Sequence, residues 1–474
     1  MAIVNDSMIY ALLKDTYLRG VANSKNQASP IISRIKKENW NGGKTIKYAA
    51  QYGNGGNFGS NYAVVSNNPT SGVMNLEWAM DPKYSFGLFQ IDMPELLSTA
   101  DEKGAYMQAL ENKMSACFDG IGKTIAMHLY GGTAGVIDKL TLASAYTVLA
   151  SGNVFSLSSA GALKLDVGSR FVIATSPDSG VTPATPYDDL LGGNSTPVVF
   201  TVTAIDDTSI TASASVAGGT IYSGDYIELY TARTGNNYYG IEGLFDILPS
   251  FDDRNSTGYN NYMSSLFRGV RRDVAESRLA GQYATTTGKT STTPITDTLV
   301  ELLMKTKRAG GINDMIIIND ETFNKASQEL GLQRNLWQAT NGDAANKQTA
   351  TAGLNRLGVA FEDAFVSKTI VDPYCMNDNA YMVDIDNDLK LYDMGNVSKA
   401  LDPVGNGSLG KYDVEAVGSA GIPKEPVVGI NFDKLFTVAE GQKGITGKSL
   451  EITANVYANF ALRKTASSGV AYLG

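Results

Sequence analysis

STADEKGAYMQALENKMSACFDGIGKTIAMHLYGG, residues 98–132, carries one long helical pattern around which the rest of the chain is organised. Met107, Leu110, Met114, Cys117, Ile121 and Ile125 recur at steps of three and four, which puts them on one face of an α-helix. Asp101, Gln108, Asn112, Ser115, Asp119 and Lys123 make the opposite stripe polar. Thr99 with Glu102 forms a capping-box start, and Gly131-Gly132 supplies the stop. Such a helix is about 48 Å long, the width of a domain, and reads as a spine. Gly120 and Gly122 each cost it roughly 1 kcal/mol relative to alanine. They mark either the close approach of a neighbour or a bend point.

Composition narrows the function classes. A chain of 474 residues, 43% of them hydrophobic, has room for two to four domains. No apolar run is long enough to cross a membrane, and the first twenty residues lack the pattern of a secretory signal. The net charge of −9 argues against a surface that grips nucleic acid throughout, but not against one that encloses it. Two cysteines, Cys117 and Cys375, give no disulfide framework and read as reduced and structural. His128 is the single histidine, so most acid–base and metal chemistry loses its commonest residue.

In chain order, residues 4–20 read as a short amphipathic helix and residues 30–35 as strand-like. Residues 44–53 and 71–92 are extended runs around the Gly- and Asn-rich GNGGNFGSNYAVVSNNPT (residues 53–70). That is a long hairpin arm, and an arm with so little core of its own must lie on another surface, most simply a second copy of the chain. Beyond the spine, strand-like segments at residues 163–175, 197–205, 209–217 and 223–232, with Asp206-Asp207 at a turn, describe a small inserted β-barrel. Residues 256–281 read as helical, with the basic RGVRR (residues 268–272) as a solvated face. Helix, strand and helix follow at 296–311, 312–320 and 321–332. Three strands come next around VDPYCMNDNAYMVDIDNDLKLYD (residues 371–393), and two final strands return to the spine. The class is α+β.

No catalytic, cofactor-binding or metal-binding set emerges. GKT or GKS occurs at residues 43–45, 122–124, 288–290 and 447–449. The position that a phosphate-binding loop reserves for its first glycine holds Glu38, Cys117, Tyr283 or Gln442. GNGGNFG is followed by no helical pattern. Asp384, Asp386 and Asp388 have calcium-loop spacing, but Leu389 and Gly395 stand where Gly and Glu are needed, so they read as a charged hairpin turn. Cys117, Asp119 and His128 share one helix, where eleven residues span about 16 Å, too far for a nucleophile and base.

The order of N-terminal helix, hairpin arm, spine helix, α+β domain and returning strands resembles the major capsid protein of tailed bacteriophages, a fold shared with encapsulins. Its carriers are the arm (residues 44–92), the spine, YGIEGLFDIL (residues 239–248), residues 296–320 and residues 371–393. The resemblance implies an N-terminal arm at 1–29, an extended loop at 30–97 and a spine helix of a peripheral domain at 98–137. It further implies an inserted barrel at 138–235, a peripheral continuation at 236–294, an axial domain at 295–430 and C-terminal strands at 431–474.

The function implied is a non-enzymatic shell of hexamers and pentamers around a double-stranded DNA genome. Its expected partners are other copies of the chain, a portal and a separate scaffolding protein, with no cofactor and no membrane. The place implied is the virion, assembled in the host bacterial cytoplasm. The chain opens on Met1, and no N-terminal processing is expected. Lys44, Lys47 and Lys83 are available for covalent cross-linking, but nothing singles one out. An encapsulin-type compartment and a surface-layer or adhesin-like subunit are the alternatives. The inserted barrel and the length weigh against the first, and the missing signal pattern against the second.

Overall fold

A glycine on a strand, rather than one on the helix, sets the distance between the first two layers. The computed structural model describes residues 29–32, 34–39, 44–53, 60–61, 74–92, 103–142, 144–158, 161–162, 164–174, 191, 197–234, 237–250, 257–311, 315–332, 368–393, 437–443 and 449–473. The spine helix runs unbroken over Lys103–Gly131. Ile121, Ile125 and Leu129 are buried along it, whereas Met107, Leu110 and Met114 lie outside the described side chains. Gly120 is exposed, and nothing stands within 4 Å of a Cβ placed there, so close packing does not explain it. The close approach comes from Gly87 on the strand Lys83–Asp92, where a Cβ would meet Cys117 Sγ at 2.6 Å and Ile121 Cδ1 at 2.7 Å.

The helix stops at the expected place. Gly131 is its last residue, and Gly132 turns the chain at φ +64°. His128 in the last turn is buried, and its Nδ1 donates to the Gly132 carbonyl at 2.8 Å. Burial pushes its pKa down, so the ring is a neutral cap on the helix end. The expected capping box at Thr99 and Glu102 lies outside the described residues, as do the N-terminal helix at 4–20, most of the arm tip, and residues 333–367 and 394–436 of the expected axial domain.

Against the helix lies a sheet ordered Lys36–Asn39, Leu389–Asp393, Ser449–Leu462, Thr437–Lys443, with Lys83–Asp92 on the other edge of Ser449–Leu462. The extended run at 71–92 is therefore two strands. Met74–Met80 pairs with Ile46–Gly53 in the arm, the chain breaks at Asp81-Pro82, and Lys83–Asp92 joins the sheet. Proline has no N–H to donate, which fits the break. Residues 30–35 are not a strand either. Ile31 accepts from the amides of Arg34 and Ile35 in a turn, and the strand begins at Lys36. That turn buries Ile31, Ile32 and Ile35, and beside it Ser29 Oγ donates to Asp372, which also accepts from Tyr130 of the spine at 2.8 Å.

The segment after the spine is a six-stranded antiparallel sheet, with strands starting at Val136 and ending at Leu229. Asp207 sits in the turn of the hairpin Phe200–Asp206 and Ser209–Ala214, as read from the sequence. Phe155, Phe171 and Phe200 stack in its interior and share one apolar cluster with Ile125 and Tyr130 of the spine. Its core is thus continuous with that of the host.

A third sheet runs Gln282–Thr285, Gly469–Tyr472, Asn379–Val383, Met315–Ile318, Lys368–Val371. Its three middle strands are buried at every position, as strands covered on both faces should be. The helix Pro294–Arg308 covers one face with Leu299, Leu302 and Leu303. Only the first of the two tail strands, Ser449–Leu462, packs on the spine side; Gly469–Tyr472 enters this third sheet instead. The Asp384–Asp388 turn links two different sheets and is not a hairpin, with Asp384 accepting from the backbone and side chain of Asn387.

Gly87→Ala should cost about 1–3 kcal/mol of stability, because the added methyl collides with Cys117 and Ile121. Removing the sulfur with Cys117→Ala in the same chain should recover part of that loss in chemical denaturation. No recovery would place the strain elsewhere.

Candidate functional site at the root of the arm

The segment expected to be a basic helix face is a different object. Helix covers Thr257–Ser264 and returns as single turns at Asp273–Ala275 and Glu276–Leu279, and between them Leu266–Phe267 and Val270–Arg271 pair as a hairpin of two-residue strands. Arg268 and Gly269 form its tip at φ +51° and +82°, the positive values that such a tight turn demands at both positions. Arg268 is the one non-glycine residue with positive φ among those described.

The Arg268 side chain explains why that backbone is tolerated. Its guanidinium is 1% exposed, yet every edge of it is engaged. Nε donates to Glu242 Oε2 at 2.8 Å, Nη1 to the Tyr48 hydroxyl at 2.9 Å and Nη2 to the Phe460 carbonyl at 2.6 Å. Its own carbonyl accepts from Ala79 N at 2.9 Å. One residue thus holds both arm strands, the tail strand and the body. Asn459, fully buried, completes the network. Its Nδ2 donates to Glu242 Oε2 and to the Asp81 carbonyl, both at 2.9 Å, while its Oδ1 accepts from Glu242 N at 3.1 Å. Asp81 also takes the Thr45 hydroxyl at 2.7 Å, so the break between arm and sheet is pinned from both sides.

A second arginine sits behind the first. Arg272 is fully buried, with Nη1 donating to the Asp246 carbonyl at 2.6 Å. Its guanidinium lies between the rings of Tyr262 and Phe267, at 4.4 and 4.5 Å. Its Nε and Nη2 find no hydrogen-bond partner. Asp246 accepts from Thr133 N at 2.7 Å and Gly243 N at 3.2 Å, tying the end of the spine to the loop that carries Glu242. Burial first, and then the nearby Glu242, push the Asp246 carboxyl up to about 6, against the pull of Thr133, Gly243 and Arg272.

The arm rests on this hairpin through Trp78. Its ring meets Phe267 edge-on at 5.8 Å and stacks with Tyr48 at 6.4 Å, over Val270 and Leu279. The described part of the arm therefore lies on its own chain. Its outer face is polar, with Lys47 and Glu77 paired across the strands at 2.7 Å.

The motifs tested from sequence are dispersed through the structure. Cys117 packs on Gly87 while His128 caps the spine. Lys123 pairs with Asp166 and Lys289 with Glu301. Among the described residues, no three of His, Cys, Asp and Glu converge to hold a metal. The network at the arm root was not legible from composition. Its one local signal was Arg268-Gly269 between Leu266-Phe267 and Val270, a weak form of the Asn-Gly hairpin signature. Glu242, Asp246 and Asn459 carried no signal, because they come from distant parts of the chain.

No family model matches the sequence, and no curated protein does. Among solved structures, a chain of the Cyanophage A-1(L) capsid asymmetric unit matches with a TM-score of 0.53 at 12% identity, over 99% of each chain. A chain of the capsid of an empty GTA particle matches at 0.42 and 6% identity, over 99% of this chain and 97% of that one. A chain from Mycobacterium phage Ogopogo matches at 0.40 and 9%, over the whole of both. The last two superpose too loosely to add to the first. The first shows a shared fold with a chain of a phage capsid.

Arg268→Gln leaves the half-buried Glu242 without its cation and should lower the unfolding free energy by about 2–4 kcal/mol. Arg268→Gly suits the backbone but loses the same bonds, and should be comparably unstable. A glycine variant as stable as the parent would show that the side chain contributes nothing. Asp246 binds its proton more tightly folded than unfolded, so its ionisation opposes folding, fully above pH 6 and progressively less down to pH 4. Relative to Asp246→Asn, the parent chain should gain about 2 kcal/mol between pH 7.5 and 4. Parallel stability profiles of the two chains would contradict this.

Proposed function

We propose that the chain is the major capsid protein of a tailed phage, a structural subunit that assembles through hexamers and pentamers into an icosahedral shell around double-stranded DNA. The observation that carries this reading is the end-to-end match in fold to a phage capsid chain. That match runs over 99% of each chain rather than over a single sheet. The polar outer face of the arm suits an element that reaches beyond its own subunit. The net charge of −9 suits a wall that encloses DNA without gripping it.

In this reading residues 1–29 are an N-terminal arm, 30–97 the extended loop, and 98–137 with 236–294 the peripheral domain, to which the tail strand Ser449–Leu462 returns while Gly469–Tyr472 joins the sheet of residues 315–318 and 379–383. Residues 138–235 are the inserted barrel and 295–430 the axial domain. The partners are other copies of the chain, a portal and a separate scaffolding protein. The place is the virion, after assembly in the host bacterial cytoplasm.

Electron microscopy of the purified full-length chain tests this. Closed shells, or rings of five and six, are expected. Deleting residues 54–68 should leave circular dichroism nearly unchanged while closed shells disappear. A folded chain that stays monomeric at every concentration, with or without a scaffolding partner, would falsify the reading. Normal shells from the deletion would remove the arm's part in it.

A further inference from the structure

We infer that the arm does not swing alone: its two strands and residues 257–280 form one lever, jointed to the body at the loop carrying Glu242 and Asp246. That such a lever sets the arm's reach toward a neighbouring subunit rests on the shell reading; the lever itself does not.

The inside of the lever is held by apolar packing. Trp78, Leu76, Tyr48, Ala50 and Tyr52 of the arm cluster with Val270 and Leu279 of the segment, apart from the main core. Tyr259, Tyr262, Met263 and Ala280 form a second small cluster within the segment. Two backbone acceptors complete the union, the Arg268 carbonyl taking Ala79 N and the Tyr52 carbonyl taking Arg278 Nη1.

The seam with the body is of another kind. Arg268 meets Glu242 and the Phe460 carbonyl, Arg272 and the Tyr262 hydroxyl meet the Asp246 carbonyl, and Thr465 Oγ1 donates to the Arg278 carbonyl at 2.6 Å. Among the described residues, apolar contact across it is limited to Phe267, which also reaches the main core, and to one small cluster at the pivot, where Met80, Ile46 and Tyr48 of the arm meet Ala461 and Tyr392 of the body. Polar seams open more readily than apolar ones, because water replaces each bond that is lost. In the closed form two buried nitrogens of Arg272, Nε and Nη2, have no hydrogen-bond partner, and opening would hydrate both. The seam is therefore the element with a second arrangement within reach.

Hydrogen exchange read by mass spectrometry tests this on the full-length chain kept unassembled. Residues 46–53, 74–80 and 266–279 should open together, at least tenfold faster than residues 379–383 and 469–472. Glu242→Gln should speed all three lever segments by a common factor, about tenfold, and leave residues 379–383 unchanged. Arm strands that open separately from 266–279 would overturn the lever. So would a Glu242→Gln effect spread evenly over the chain, or none at all. Shell assembly is measured separately, so failure of the shell reading would leave this result standing.

Discussion

A guanidinium taken out of water has to be met on every edge, and at Arg268 that requirement gathers the fold. Glu242, Tyr48 and Phe460 come from the body, the arm and the tail, and they converge only if all three are already in place. The converse holds as well. A side chain forced into the left-handed region survives because four elements over-determine it. Buried ion pairs contribute little net stability, but breaking one is costly, so such a pair selects one geometry more than it strengthens it. At the base of the arm, that geometry is the closed position of the joint.

The same principle of close fit runs through the body in apolar form. Gly87 lets a strand lie directly on Cys117 and Ile121, so sheet and spine share one interior. The spine continues that interior into the inserted sheet through Ile125 and Tyr130. Asp372, holding Ser29 and Tyr130, ties the chain's entry to the same helix. The body thus has one large core through the spine and inserted sheet and a second under the helix Pro294–Arg308, while the arm and its supporting hairpin have a small core of their own. That division of packing, with charge at the boundary, separates a rigid frame from an attached lever.

The sequence by itself determined the elements whose pattern is local. Period-3.6 spacing and a glycine pair located the spine and its end, and apolar runs located Met315–Ile318 and the helix before it. Alternation and an Asp-Asp turn located the inserted strands, and the order of elements pointed to the capsid fold. Tertiary structure alone decided what depends on partners far away in the chain. Residues 256–281 carry a basic run that suits a solvated helix, yet Arg268 and Arg272 are buried because Glu242, Asp246 and two aromatic rings await them. The second tail strand left the spine because a gap between Gln282–Thr285 and Asn379–Val383 needed a strand buried on both faces. Periodicity reports which face of an element is apolar, but not which surface will cover it. Charge reports a need for a partner, and only the folded chain supplies one.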